Sequence, residues 1–180
     1  MKRELKLAGI TLCALTLFLV GNVNDADAAA YIKFDGVDGE AKDKDHVNWS
    51  DLMSFQMAIH KPGSGATGST RNTASAVFED FAIAKELDKS SPKLSESILT
   101  GKVFPKVEIQ LGSSAGTYLS YELTNVMVTS YSIGGGASQI PMEEFSLNFE
   151  EIKVTYTEYG SDGKSKGKVE TSWKVEEGTK

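Results

Sequence analysis

The chain has 180 residues, of which 40% are hydrophobic and 24% are charged, and its net charge is -6. This length and composition suit one folded domain and exclude a largely disordered chain. The first thirty residues contain three basic and three acidic residues, so the net charge of the remainder is also -6. An acidic protein of this kind is not expected to bind nucleic acid through the phosphates.

The first thirty residues have the three-part layout of a secretory signal peptide. A basic start precedes an almost wholly apolar run at residues 7–20, and small residues follow that run. We therefore predict cleavage after Ala28 or Ala30 and a mature domain, residues 31–180, in the periplasm or outside the cell. The apolar run is shorter than the ~20 residues that span a bilayer, which argues against a stable membrane anchor. The single cysteine, Cys13, lies in this run, so the mature chain has neither a disulfide nor a thiol nucleophile.

A strand pattern at residues 31–34 opens the mature chain, and an acidic loop follows it. The carboxylates of this loop are Asp35, Asp38, Glu40, Asp43 and Asp45. Their spacing does not match a twelve-residue calcium loop, so we predict a solvated loop rather than a metal site. His46 and His60 are the only histidines and are too few for a closed zinc site. No metal and no cofactor is predicted.

Residues 54–60 alternate between apolar and polar and predict a half-buried strand. A loop rich in glycine, serine and threonine follows at residues 61–75. Gly63, Gly65 and Gly68 satisfy the spacing of a dinucleotide-binding glycine motif. That motif needs a helix directly after it, because the helix N-terminus holds the phosphates, and here a strand pattern follows. Nucleotide binding is therefore not predicted.

One segment of the mature chain predicts a helix of about nine residues. Ser91 is a candidate N-cap, Pro92 suits the first turn, and Gly101 is a candidate C-terminal cap. A helix this short is marginal alone in water, so it is expected to lie on a sheet. The face expected to pack on that sheet consists of Leu94, Ile98 and Leu99.

The rest of the mature chain reads as strands. The patterns lie at residues 77–83, 103–111, 117–133, 145–156 and 169–175. The apolar positions change from odd to even at Glu150 and Glu151, which predicts a bulge or a sharp bend. The predicted fold is mainly β: one compact antiparallel β-barrel or two-sheet sandwich with one short flanking α-helix.

Four stretches together resemble the haemolysin co-regulated protein (Hcp) family. They are YIKFDGVDGEAKDKDH at residues 31–46, AKELDKSSPKLSESILTGKVFPKVEIQL at 84–111, YELTNVMVTSYSIGGG at 121–136 and EEFSLNFEEIKVTY at 143–156. The resemblance implies the same β-fold and homo-hexameric rings that stack into the inner tube of a type VI secretion machine. It also implies that the ring lumen carries small effector proteins and that other type VI components are partners.

In this family the counterpart of the 61–75 loop reaches towards neighbouring subunits or rings. The resemblance therefore implies a subunit interface in this loop, and a mobile surface loop is the alternative. The interface candidates are Lys61, Pro62, Gly63, Gly65, Gly68, Ser69, Thr70 and Arg71.

Catalysis is not predicted. The sequence has neither a G-x-S-x-G elbow nor an H-E-x-x-H pair. Glu143 and Glu144 are neighbours on a strand, so they should point to opposite faces rather than converge on a substrate. The predicted function is that of a structural protein. The alternative is an exported Hcp-like binding module or adhesin that works outside any secretion machine, because the usual tube subunits carry no signal peptide.

Overall fold

The computed structural model describes residues 28–61 and 76–175, so residues 1–27 of the predicted signal peptide and residues 62–75 of the loop lie outside the described residues. One helix and eleven strands are described. They are β1 (Ala29–Phe34), β2 (Ser50–Asp51), β3 (Ser54–Gln56), β4 (Ile59–His60), β5 (Val77–Phe78), β6 (Phe81–Glu86), α1 (Ser91–Thr100), β7 (Val103–Ser113), β8 (Gly116–Gly134), β9 (Met142–Asn148), β10 (Glu151–Tyr159) and β11 (Ser165–Lys174). The predicted class, mainly β with one short helix, is confirmed.

Nine strands form one antiparallel sheet that branches at β8. Its main path runs β2-β1-β7-β8-β9-β6-β3, while β10 pairs with β8 and β11 pairs with β10. Strands β4 and β5 pair with each other in a separate small sheet. Among the described residues no pairing joins β2 to β3, so the two ends of the path do not close a barrel. The branched sheet is nearer to the two-sheet form of the prediction.

The branch arises because β8 changes partner at Asn125. The part from Leu119 to Thr124 pairs with β10, whereas the part from Met127 to Gly134 pairs with β9. Asn125 has a φ of 51°, in the left-handed region that asparagine tolerates better than most residues. Strand β8 thereby contributes to both halves of the sheet, which are the main path through β9 and the branch formed by β10 and β11.

The predicted bend at Glu150 and Glu151 is confirmed, because β9 ends and β10 begins there. Phe149 and Ile152 are both buried, which is the expected change from odd to even positions. The Asn125 side chain donates to Glu150 Oε2 at 2.5 Å, so the bend is tied to the point where β8 changes partner.

The hydrophobic core lies between the two halves of the sheet and is rich in aromatic rings. Phe34 packs edge-on against Phe104, with ring centroids 5.1 Å apart, and against Phe145 at 5.9 Å. Phe81 packs against Tyr121 at 5.3 Å. Since these rings come from β1, β6, β7, β8 and β9, the core joins strands that are far apart in the sequence.

Residues 54–60 form two short strands rather than the single predicted strand. Strand β3 pairs with β6 in the large sheet, while β4 pairs with β5. The sequence pattern is continuous across both because Phe55 and Met57 pack partly against the core. Periodicity records which residues are covered and carries no information on which strand each backbone bonds to.

The ends of α1 differ in part from the prediction. Gly101 is the C-cap with a φ of 67°, as predicted. The N-cap is Ser90 and not Ser91. The hydroxyl of Ser91 instead accepts the Asp88 N–H at 3.0 Å, and Asp88 Oδ1 accepts the Ser90 N–H at 2.8 Å. The turn before the helix therefore organises this end.

Only part of the predicted apolar face of α1 is covered. Leu94 is 0% exposed and Ile98 is half-buried, but Leu99 is 86% exposed, so that prediction was wrong. Five residues turn an α-helix by about 140° beyond a full turn, which carries Leu99 away from the face that contains Leu94.

Leu94→Ala is expected to lower the free energy of unfolding by about 2–5 kcal/mol, because it leaves a cavity under α1. Leu99→Ala is expected to change it by no more than about 0.5 kcal/mol, since this side chain is already in water. Urea unfolding of both variants at one protein concentration measures the difference. Similar losses from the two substitutions would contradict this placement of the helix.

Candidate interaction surface

Strands β4 and β5 form the base of the loop predicted as an interface. Ile59 pairs with Phe78 and His60 with Val77, so the chain leaves and re-enters the domain at one place. Ile59 is 54% exposed and Val77 is 40% exposed, which leaves apolar surface beside exposed Lys61. We call Ile59, Val77 and Lys61 the loop base. The other interface candidates, Pro62, Gly63, Gly65, Gly68, Ser69, Thr70 and Arg71, lie outside the described residues.

A second apolar surface crosses β8, β10 and β11. Leu119, Tyr156 and Val169 are cross-strand neighbours, and we call these three residues the apolar row. Leu123 and Ile152, four positions away on β8 and β10, are buried in the core. Residues an even number of positions apart on a strand share a face, so the apolar row continues the core face of the sheet.

The exposure of the apolar row increases towards the edge of the sheet. Leu119 is half-buried, Tyr156 is 50% exposed and Val169 is 72% exposed. Large side chains that continue a core face into solvent in this way are typical of an interaction surface. The sequence pattern located all three strands but gave no sign that this end of them is uncovered.

Strand β11 is an edge of the sheet next to this row. In the described part of the chain it pairs only with β10, and residues 165–170 are all exposed. Two of its charges are paired across the hairpin: Lys166 lies 3.5 Å from Glu158, and Glu170 lies 3.5 Å from Lys153. Lysines on an edge strand discourage indiscriminate pairing, so this edge suits a specific partner better than aggregation.

A buried ionic network holds the start of α1 against the sheet. Lys85 Nζ lies 2.7 Å from Glu143 Oε1 and 2.7 Å from Asp88 Oδ1. Lys85 and Glu143 are both 0% exposed, and they are direct cross-strand partners on β6 and β9. The Tyr131 hydroxyl donates to Glu143 Oε2 at 2.6 Å. Burial, and then this hydrogen bond, raise the pKa of Tyr131, so it stays a donor at neutral pH.

This network was not predicted, although the sequence contains a signal for it. On β6 the buried position after Ile83 is Lys85, and on β9 the buried position before Phe145 is Glu143. Extending each period-two pattern by one step places both charges inside. Glu144 is exposed, so the expected divergence of Glu143 and Glu144 is confirmed.

Acid is expected to weaken this region through Asp88. Burial alone would raise the Asp88 pKa, but hydrogen bonds from Lys85, Ser50 and Ser90 outweigh it and lower the pKa. A carboxyl with a lowered folded pKa contributes stability above its unfolded pKa of about 3.9, and the contribution is lost as pH falls through the folded value. The melting temperature is therefore expected to fall when the pH is lowered below about 4.

Asp88→Asn tests this dependence. The variant should have a lower melting temperature than the wild type at neutral pH. Its melting temperature should fall less on acidification, since it has no carboxyl to protonate at this position. Asp162→Asn, in the exposed turn between β10 and β11, is the control. An acid dependence of Asp88→Asn as steep as that of the wild type would show that other groups cause it.

The two histidines occupy different environments. His46 is buried and stacked on Tyr31, with ring centroids 3.9 Å apart. Its Nδ1 lies 2.7 Å from Asp43 Oδ1 and its Nε2 lies 3.0 Å from Gln110 Oε1, so both ring nitrogens are engaged. The hydrogen bond with His46 lowers the pKa of the Asp43 carboxyl. His46 thus ties the acidic loop to β1 and β7, whereas His60 is exposed on β4.

Neither a metal cluster nor a membrane helix is found in residues 28–61 and 76–175. No three His, Cys, Asp or Glu side chains there are grouped to hold a metal ion. No helix in the same ranges is long and apolar enough to cross a bilayer. Within the acidic loop, Asp38 instead accepts a hydrogen bond from Lys33 Nζ at 2.8 Å.

Comparison with known proteins gives consistent matches. Residues 31–156 match the family model described as type VI secretion system effector, Hcp. The protein hcp1 of Pseudomonas aeruginosa is 29% identical over 151 residues, which is 81% of this chain and 93% of that protein.

Two solved structures share the fold. The structure of a type six secretion system protein gives a TM-score of 0.77 at 29% identity and covers 84% of this chain and 98% of that one. The crystal structure of a type VI secretion system effector from Yersinia pestis gives 0.68 at 25% identity, with 81% and 99% covered. The similarity therefore extends over almost the full length of both structures.

Proposed function

The chain belongs to the Hcp family of type VI secretion proteins, and on this premise we propose that it is a non-enzymatic subunit whose copies close into a ring. The observation that carries the proposal is the family match, which covers residues 31–156. Six subunits per ring, stacked rings and small effector proteins held in the lumen are the finer expectations from the family. Type VI components are then its partners.

We propose that the apolar row and the loop base are the two sides of the subunit contact. A ring needs a heterologous interface, in which two different patches of the same chain meet. Here the row offers exposed Tyr156 and Val169, and the loop base offers exposed Ile59 and Val77. The patches lie on different strands, which is compatible with a heterologous contact. Contact between the patches would remove apolar surface from water, and each Å² removed would stabilise the contact by about 25 cal/mol.

Val169→Glu is expected to convert the ring to smaller species. A charge placed within an apolar contact should weaken each subunit contact by about 2 kcal/mol or more, as at interface hot spots. Light scattering of the purified protein at several concentrations, with negative-stain electron microscopy of the same samples, measures the change. Tyr156→Glu is expected to act in the same direction.

Leu99→Glu is the matched control, because Leu99 is 86% exposed on α1 and lies outside both patches. This variant should keep the wild-type mass. If the wild-type protein is a monomer at all concentrations, the ring proposal is wrong. If Val169→Glu still forms a ring, the ring proposal stands, but the apolar row is not the subunit interface.

The loop from Lys61 to Arg71 is proposed as a further contact to a neighbouring subunit or ring. Its support is the family resemblance together with the exposed loop base from which it extends. Arg71→Glu should reduce stacking of rings in electron micrographs, while Lys164→Glu in the turn between β10 and β11 should not. Equal stacking in both variants would argue for a loop without a contact role.

The second candidate function is an exported Hcp-like binding module or adhesin that works outside a secretion machine. The first thirty residues favour it, because export through a cleaved signal peptide would separate the protein from a tube that grows from the cytoplasm. Tube-sheath and baseplate genes next to this gene would support the tube function. Their absence, with the mature protein found in the periplasm or medium, would support the second candidate.

A further inference from the structure

The first strand distinguishes the two cleavage positions that the sequence leaves open. Ala29 and Ala30 belong to β1 and pair with the end of β7. The Ala30 carbonyl also accepts the Leu52 N–H at 2.8 Å. Ala28, in contrast, is exposed and precedes the strand. The folded sheet therefore begins between Ala28 and Ala29.

Cleavage after Ala30 would remove part of this sheet. The buried Leu52 would lose the acceptor for its N–H, and Leu111 on β7 would lose its cross-strand partner on β1. Ala30 also packs against the core cluster. Buried backbone groups need partners, so a mature chain that starts at Tyr31 would carry an unmet donor. A chain that starts at Ala29 keeps every one of these interactions.

Ala29 also lines a small cavity of about 240 Å³. The titratable side chains that line it are Tyr31, Asp43, Asp45 and His46, and Ser113, Ser114 and Thr117 contribute hydroxyls. A positive charge at Ala29 would therefore face two carboxylates, one of which, Asp43, is already held by His46. The cavity suits an amino group that belongs to this chain.

We infer that a signal peptidase hydrolyses the Ala28–Ala29 bond and that the new amino terminus docks in this cavity. Water adds across the peptide bond, giving a carboxylate on Ala28 and an α-ammonium group on Ala29. The mature protein then begins at Ala29, with its terminus built into β1 beside Asp43 and Asp45. This inference rests on the export that the second candidate function requires.

The cleavage position is tested by expressing the full chain in an exporting host and measuring the intact mass of the purified product. The expected product starts at Ala29 and is heavier by two alanine residues than one that starts at Tyr31. Ala26→Leu removes a small residue that the proposed site needs and should block processing, while Ala30→Leu should leave processing intact.

A product that starts at Tyr31, or the reverse behaviour of the two variants, would overturn the inference. An unprocessed chain retained in the cell would overturn export and the inference together. The mass of the assembled protein, measured on the same samples, reports on the ring separately. A ring whose subunits start at Tyr31 would therefore refute the cleavage position and leave the proposed function standing.

The docking is tested by following the Ala29 amino nitrogen by NMR across pH in the mature protein. Its pKa is expected to lie above the usual range of about 7.7–8.0, because carboxylates favour the charged form. Asp45→Asn should lower that pKa, and Asp35→Asn, outside the cavity, should not. The same pKa in all three proteins would overturn the docking.

Discussion

Replacing Lys85 by methionine is expected to lower the free energy of unfolding by about 3–5 kcal/mol, because it leaves two carboxylates without their cation. Lys85 is the group that both Glu143 and Asp88 contact at 2.7 Å, and Glu143 has no exposed surface through which water could replace it. Urea unfolding at neutral pH and one protein concentration measures the loss. Circular dichroism in the far ultraviolet checks that the native sheet is present.

Two variants show whether the loss comes from an unpaired buried charge. Lys153→Met removes one partner of an exposed pair with Glu170 and should cost no more than about 1 kcal/mol. Lys85→Met combined with Glu143→Leu should recover part of the loss, because the most deeply buried carboxylate is then absent. A double variant much less stable than Lys85→Met would mean that the side chains matter by shape and not by charge.

Phe34→Ala is expected to lower the free energy of unfolding by about 3–5 kcal/mol. The ring is 2% exposed and contacts Phe104 and Phe145, so its removal leaves a cavity where β1, β7 and β9 meet. These aromatic contacts add about 0.5–1.5 kcal/mol per pair beyond the buried area. Thermal and urea unfolding measure the loss.

Phe34→Leu should cost much less than Phe34→Ala, because leucine fills most of the same volume. Ile133→Ala is the surface control: Ile133 is 55% exposed on β8, and its truncation should change stability by no more than about 0.5 kcal/mol. If Phe34→Leu were as damaging as Phe34→Ala, the geometry of the ring contacts would matter more to stability than the filled core volume.

Most of the strands could be predicted because burial repeats with period two. The bend near Glu150 was predictable for the same reason, since a change of buried parity requires extra backbone. The helix end at Gly101 was predictable because a left-handed residue there favours glycine. These features depend on neighbours in the sequence, and their signals lie within a few residues.

Two predictions about α1 were wrong. Ser91 was assigned as the N-cap because its type and position fit, but Asp88 and Lys85 bind at that turn. Leu99 was assigned to the packed face, although the sheet covers only the side of α1 that contains Leu94. The Leu99 error has a tertiary cause, because α1 packs on β8 and only the side that contains Leu94 faces that strand.

For the candidate interface, the sequence indicated the 61–75 loop, and the structure shows its base at β4 and β5. The apolar row was not predicted. Tyr156 and Val169 follow the same alternation as buried Ile152, and alternation cannot tell where along a strand the covering layer stops. The exposed end of a core face becomes visible only when the opposite layer is placed.

The sequence alone determined the mainly β class, the one short helix, the family and the bend after β9, because each follows from local periodicity, turn chemistry or a matching run of residues. The tertiary structure decided the branch of the sheet at Asn125, the pairing of Lys85 with Glu143 and the uncovered apolar row. These depend on segments up to about sixty residues apart, and their contacts exist only after the chain has closed the loops between them.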